Sequence, residues 1–302
     1  MLGSSHPSDR PRAVRDNSAP TDPRSDLELL DAAKSGDVLA RDTLFARFEG
    51  IVYRFGLRLC RDREDAREVL QDTLLAAART LPTFRGDAAV GTWLFTIARS
   101  FCIKRRRRRG REAQRAPLGQ PRDADQPEEM DVCNVADAAA PPDEAAMSSQ
   151  IGRALEQAIQ SLAPTSREVL LLRDVEGLTA PEVAAALGIR VDAVKSRLHR
   201  ARSAVREHLA PLLDPLPVDA SAVASECPDI VRMYSRKLEG EVGPELCAEL
   251  EQHVSGCERC SAACDTLRRT LSLCQASRGA RVPPRIQDEV RKAVREVVRG
   301  RD

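Results

Sequence analysis

The sequence is poor in aromatic side chains, in net charge and in long apolar runs, and each shortage excludes something. Only nine of its 302 residues are Phe, Tyr or Trp. Eight of them lie between Phe45 and Phe101, with Tyr234 alone outside, so aromatic packing is confined to one segment. A formal net charge of +1 excludes a protein that is basic all over and holds polyanions by bulk charge. No stretch reaches the roughly 18–20 apolar residues of a membrane span. The first 25 residues, polar and Pro-containing, do not have the form of a signal peptide. These absences predict a cytoplasmic protein without membrane contact. Alternation with a period of two never persists, and no internal repeat is visible, so the chain reads as all-α.

What is present is local. Lys104 to Arg109 is an unbroken run of six cations, while residues 117–148 carry eight acidic side chains against one Arg. Local charge, not the average, decides the choice of partner. Six of the nine cysteines fall between Cys227 and Cys274. In a reducing compartment such clustering points to metal binding or redox sensing rather than to a disulfide framework.

Composition divides the chain. Residues 1–25 read as a disordered tail, 26–109 as a first helical domain, and 110–148 as a flexible acidic linker. Residues 149–209 form a second helical domain, and 210–225, with Pro211, Pro215 and Pro217, a shorter linker. A cysteine-bearing module follows at 226–275, then a basic amphipathic helix within 276–302. In the first domain Leu44, Phe48, Ile51, Val52, Phe55 and Leu59 recur at helical spacing. A helix over Asp62–Thr80 buries Ala66, Val69, Leu70, Thr73, Leu74 and Ala77, and a third spans Thr92–Arg109. In the last helix Ile286, Val290, Val294 and Val297 oppose Arg291, Lys292, Arg295 and Arg299. It reads as a surface helix rather than a membrane contact, with packing on another domain the alternative.

Residues 179–205 carry the signature of a helix-turn-helix. Thr179 and Glu182 form a capping box, Pro181 is tolerated in the first turn, and Gly188 supplies a left-handed turn residue. The second helix buries Val191, Val194, Leu198, Ala201 and Val205 and presents Lys195, Arg197, His199, Arg200 and Arg202. Cationic donors on such a helix suit the major groove, some reading guanine edges and others holding phosphates. A helical hairpin with a solvated basic face is the bland alternative. The Lys104–Arg109 run suits phosphate contact, which strengthens binding without selecting sequence. On the second helix of the first domain, Glu64, Glu68 and Asp72, with Asp65 alongside, form an acidic stripe suited to a basic partner surface or simply to solvent.

Two ordered motifs resemble the extracytoplasmic-function (ECF) sigma factors. Leu162-Ala163-Pro164-Thr165-Ser166-Arg167-Glu168-Val169, Leu187-Gly188-Ile189 and Val194-Lys195-Ser196-Arg197-Leu198-His199-Arg200-Ala201-Arg202 are similar to that family's region four. Asp192-Ala193 departs from the usual Gly-Thr. Asp65-Ala66-Arg67-Glu68-Val69-Leu70-Gln71-Asp72-Thr73-Leu74 is similar to the region two clamp helix, and Phe84-Arg85-Gly86-Asp87, Thr92-Trp93-Leu94-Phe95 and Ile97-Ala98-Arg99 to the loop and helix after it.

The resemblance implies binding to core RNA polymerase through Asp65, Glu68, Gln71 and Asp72. It implies recognition of the promoter −35 element through Lys195, Ser196, Arg197, His199, Arg200 and Arg202. The −10 side would fall to Arg99, Lys104, Arg105 and Arg106, with a base flipped into the Pro82–Val90 loop. Trp93, Phe84 and Phe95 read mainly as core, although one ring near that loop could stack an unpaired base.

Cys227, His253, Cys257 and Cys260 have the spacing C-x25-H-x3-C-x2-C, and three thiolates with one imidazole make a closed tetrahedral zinc site. The surrounding residues, from Asp229-Ile230-Val231 to Glu258-Arg259-Cys260, resemble the zinc-binding anti-sigma domain. In that family the domain binds its sigma factor and blocks polymerase binding. Here it would act in cis across a linker of about 16 residues, at near-millimolar effective concentration. A separate anti-sigma factor is a further possible partner. Cys247, Cys264 and Cys274 exceed one zinc site and read either as core residues or as a second thiol set. Some ECF sigma factors with a C-terminal cysteine-rich domain sense copper, or cadmium and zinc, and soft thiolates suit those ions. Oxidation of Cys257 and Cys260 with metal release is a third possibility.

The reading is therefore a non-catalytic sigma factor with two helical domains and a regulatory metal module. A metal- or redox-responsive helix-turn-helix repressor is the alternative, but it has no use for the clamp-helix motif. A C-x-x-C thiol oxidoreductase would need a strand-rich setting that the sequence lacks.

Overall fold

A computed structural model describes residues 22–86, 88–115, 142–213, 227–277 and 282–299. Among these residues there are twelve α-helices and no strand. The first four are α1 (Asp26–Lys34), α2 (Val38–Cys60), α3 (Arg63–Thr80) and α4 (Val90–Arg115). Ser25 and Glu28 form a capping box on α1, and the side chains of Asp37 and Asp62 cap α2 and α3. Each cap satisfies backbone N–H groups that the first turn leaves without a helical partner. The apolar positions of α2 and α3 are buried as their spacing predicts, except that Leu59 near the end of α2 is half-buried, and Leu94, Phe95 and Ala98 of α4 complete the core. Gly56 lets α2 approach α3 closely, since a Cβ there would lie 3.4 Å from Ala66 Cα.

The second group is α5 (Pro142–Ser161), α6 (Pro164–Leu170), α7 (Ala180–Leu187) and α8 (Val191–Leu213). A π turn over Leu171–Val175 extends α6. The third group is α9 (Ile230–Leu238), α10 (Pro244–Gly256) and α11 (Glu258–Ala276), followed by α12 (Pro284–Arg299). Ile230, Val231, Tyr234, Leu250, Cys260, Cys264 and Leu267 give the third group a small core of its own.

The first group meets the second chiefly where α4 packs on α7, the third group rests on α8, and ion pairs from α2 and α4 cross between groups. Arg58, fully buried, pairs with Glu156 of α5 at 3.3 Å and donates to the Ser277 carbonyl at 3.0 Å. Arg54 lies 3.5 Å from Glu176, and Arg99 of α4 pairs with the buried Glu168 at 2.9 Å. Buried charges persist only where partners offset their desolvation, so these pairs tie the groups into one arrangement.

Several boundaries differ from the sequence reading. Residues 22–25 pack on α2, where Arg47 donates to the carbonyls of Asp22 and Arg24 at 2.7 Å. Residues 1–21 of the expected tail lie outside the described residues. Helices α4 and α5 extend into the 110–148 segment, and α8 continues through Pro211 to Leu213. Most of both expected linkers lies outside the described residues. Helix α12 is not a bare surface helix. Val290 and Val294 are buried against α3, and Arg291 pairs with Glu49 at 2.8 Å and Arg295 with Asp42 at 2.8 Å.

Candidate nucleic-acid interface and metal centre

The helix-turn-helix is built as its residues dictate. Thr179 and Glu182 cap α7 reciprocally, and Gly188 ends it at φ 65°, where a side chain would be strained. Buried Val194, Leu198, Ala201, Val205 and Leu209 seat α8. Its outer face is divided. Ser196 and Arg200 are exposed and Arg197 half-buried. Lys195 Nζ lies 2.6 Å from Glu241, in the α9–α10 turn. His199 is half-buried, its Nδ1 has no hydrogen-bond partner, and burial pushes its pKa below the ordinary value.

Arg202 does not reach that face at all. It is buried, donating to Asp174 at 2.6 Å, Glu239 at 2.8 Å and Ser235 Oγ at 3.0 Å. Glu239 also accepts from Arg173 at 3.0 Å. Acidic residues of the third group thus neutralise part of the cationic surface of the second.

The acidic stripe of α3 is likewise partnered. Arg105 pairs with Glu68, with Asp72 at 2.9 Å and with Asp65 at 3.7 Å. Arg109 pairs with Asp62 at 2.8 Å and with Asp65 at 2.9 Å. Burial pushes the carboxyls of Asp65 and Asp72 above the ordinary range, against the pull of nearby cations. The six-cation run therefore splits by helical period. Arg105, half-buried, and Arg109, four residues on and still exposed along its side chain, pair with acidic residues of α3 and its cap, whereas Lys104, Arg106 and Arg107 are exposed. Gln71 is half-buried beside Arg67, and Arg99 is engaged by Glu168.

At the loop between α3 and α4, Phe84 and Trp93 stack at 4.4 Å, both half-buried, with Lys34 Nζ 5.8 Å from the Phe84 ring. Phe95 is core, packed edge-on against Phe55 at 5.2 Å.

The metal-ligand set comes together. The ligand atoms of Cys227, His253, Cys257 and Cys260 all lie within 4.8 Å of one another. Cys227 Sγ and Cys257 Sγ are 3.9 Å apart, and His253 Nε2 is 3.2 Å from Cys260 Sγ. Zn–S bonds of about 2.3 Å in a tetrahedron put sulfurs about 3.8 Å apart, so the donors fit that ion with little movement. The His253 turn ends α10, and Cys257, in extended conformation, opens α11. Backbone donation from Cys260 lowers the Cys257 pKa, whereas burial and the adjoining thiols push Cys260 up to about 12. Three crowded sulfurs cannot all ionise without a cation among them. Cys264 and Cys274 are fully buried in apolar clusters, and half-buried Cys247 lies near the Val242 carbonyl, so none joins the set.

Comparison with known proteins agrees with this layout. Family models match in order: Sigma-70 region 2 over residues 44–112, Sigma-70, region 4 over 152–205, and a model described as "Putative zinc-finger" over 227–261. The RNA polymerase sigma-H factor of Pseudomonas aeruginosa is 31% identical over 188 residues, 62% of this chain and 95% of that protein. The ECF RNA polymerase sigma factor SigM of Mycobacterium tuberculosis is 36% identical over 180 residues, 60% of this chain and 82% of that one. The chain belongs to the ECF sigma factors. It is a factor for promoter-directed transcription initiation, with a zinc-finger-like module following its two sigma regions. A solved structure of CnrH in complex with the cytosolic domain of CnrY is 27% identical, with TM-score 0.42, over 61% of this chain and 96% of that one. No described helix of this sigma factor is long and apolar enough to cross a membrane.

Sequence reasoning missed Asp174, Glu239 and Glu241, which engage the recognition helix, and Asp42 and Glu49, which seat α12. Each is an acidic residue opposed to a cation far along the chain, and no local pattern signals such a pairing.

Proposed function

We propose that this sigma factor binds core RNA polymerase through the α3 face bearing Asp65, Glu68, Gln71 and Asp72. In this reading Ser196, Arg197, Arg200 and Lys195 of α8, with His199 beside them, engage the −35 element, while Arg202, held by Asp174 and Glu239, seats the helix rather than reaching DNA. Lys104 and Arg106 hold phosphates on the −10 side, and Phe84 or Trp93 stacks an unpaired base near the Pro82–Val90 loop. Arg99 and Arg105 join that contact only after leaving Glu168 and the acidic stripe.

Residues 227–299 hold the factor closed in cis. The observation that carries this reading is the seating of Glu239 on Arg202 and Arg173. Docking of α12 on α3 supports it, because the helix lies beside the polymerase-binding stripe. Cys227, His253, Cys257 and Cys260 hold zinc, which organises the α9–α11 module. Its loss, or oxidation of the thiolates, would release Glu239 and α12 together. A structural zinc site contributes about 10–16 kcal/mol to folding so small a unit, enough to make the clamp depend on metal.

Elemental analysis of the purified chain should find one zinc per molecule. Fluorescence anisotropy with −35 duplex DNA and with core polymerase should then show tighter binding of both after chelation. Affinities unchanged by chelation would refute control by the module.

A further inference from the structure

Helix α2 and its cap carry Arg54, Arg58 and Arg61 at intervals of four and three residues, so the three lie along one side of the helix. The second group meets each of them with an oxygen. Glu176 lies 3.5 Å from Arg54, Glu156 pairs with Arg58 at 3.3 Å, and the Gln160 carbonyl accepts from Arg61. Arg99, on neighbouring α4, meets Glu168 in the same way at 2.9 Å. Arg58 and Arg54 are buried, as are all three glutamates. A permanent seam gains little from buried arginines, because apolar residues of similar size would hold it as well or better. A face that exchanges one set of anions for another does need them. Guanidinium forks fit carboxylate and phosphate oxygens alike.

We infer that Arg54, Arg58 and Arg61, with Arg99 beside them, form a binding face for the phosphate backbone of promoter DNA, which Glu156, Glu168 and Glu176 of the second domain fill in the closed chain. The inference extends the promoter contact proposed for α4 and rests on that reading. From Arg54 to Arg61 the helix rises about 10 Å, on the order of three phosphate steps of a DNA strand at about 3.4 Å each. The face adjoins α4, where Lys104, Arg106 and Arg107 are exposed. Core polymerase is a poorer fit. In the proposed reading it offers a basic surface to the acidic stripe of α3, and an arginine face would repel such a surface. Contact with phosphates strengthens binding without selecting sequence. The second domain would therefore have to leave α2 and α4 before the first domain grips DNA fully.

The test uses full-length, zinc-loaded chains, with Glu156→Gln, Glu168→Gln and Glu176→Gln combined to free the face. Small-angle scattering should show this chain expanded relative to the unsubstituted one, with helix content and zinc unchanged. Anisotropy titrations with duplex promoter DNA are then run across a salt series. Adding Arg54→Gln and Arg58→Gln should lower the log–log salt slope by about 1.8, at about 0.9 for each lost phosphate contact. Arg54→Lys with Arg58→Lys should keep most of the slope, since an ammonium also neutralises a phosphate. Equal loss in the Gln and Lys variants would mark a packing role and overturn the inference. So would an unchanged slope, a triple Glu→Gln chain that stays compact, or a loss of core polymerase binding with DNA binding kept. Failure of the α4 contact reads differently: Arg106→Ala would leave the slope unchanged while the Arg54 and Arg58 substitutions still lowered it.

Discussion

Arg202, on the recognition helix, donates to Glu239 at the end of α9 across 2.8 Å, with neither side chain open to solvent. In the proposed reading this helix meets DNA, and one of its cations is sequestered by an acidic residue 37 positions further along the chain. A hydrogen bond between charged groups contributes about 1.5–3 kcal/mol, so this contact holds a substantial share of the closed arrangement. Glu239→Ala should leave Arg202 with Asp174, free Arg173, and raise affinity for −35 duplex DNA about tenfold, equivalent to about 1.4 kcal/mol. Titration of the variant against the parent chain checks this.

Helix α12 offers a second, separable handle. Val290 and Val294 are buried against the first domain, and full burial of such a side chain is worth about 1.5–3 kcal/mol. Val290→Asp with Val294→Asp should detach α12 while leaving the zinc content unchanged. Core polymerase should then bind at least tenfold more tightly in anisotropy, with little change in affinity for isolated −35 DNA.

The cation run predicts a contrast between neighbours. Arg106→Ala should lower the log–log salt slope of DNA binding by about 0.9, the value for one lost phosphate contact. Arg105→Ala should change that slope less in the closed chain, because its guanidinium is held by Glu68 and Asp72. Salt titrations of the two variants separate the roles.

How much of this was legible depends on the range of the interaction. The Thr179–Glu182 cap, the Gly188 turn, the buried faces of α2, α3 and α8, and the metal-ligand spacing are fixed within a few residues, so periodicity and spacing exposed them. The splitting of Lys104–Arg109 was available too, because residues 105 and 109 share a helical face opposite the stripe of Asp65, Glu68 and Asp72. Amphipathicity showed which side of α12 is buried but not what covers it. The partners of Arg202, Lys195 and Arg291 are set by tertiary packing over long separations, and a cation's local pattern is the same whether it meets phosphate or a distant carboxylate.

The closed state should also respond to acid. Burial holds the His199 pKa below its ordinary value, so the imidazole is neutral where α8 meets α9. A depressed base favours the closed state above the ordinary value of roughly 6.5. That advantage declines as pH falls from there toward the lowered pKa. Hydrogen exchange of α9 amides, corrected for intrinsic rates, should show protection falling below about pH 6.5, and His199→Asn should flatten the response.

Run-off transcription with purified core polymerase tests control in cis most directly. The samples are the full chain with zinc, the full chain after chelation, the Glu239→Ala, Val290→Asp chain, and a chain ending at Leu213. The full chain with zinc should initiate least, and the other three should each give severalfold more transcript from the same promoter. Equal transcript from the zinc-loaded full chain and the Glu239→Ala, Val290→Asp chain would contradict a clamp built from residues 227–299.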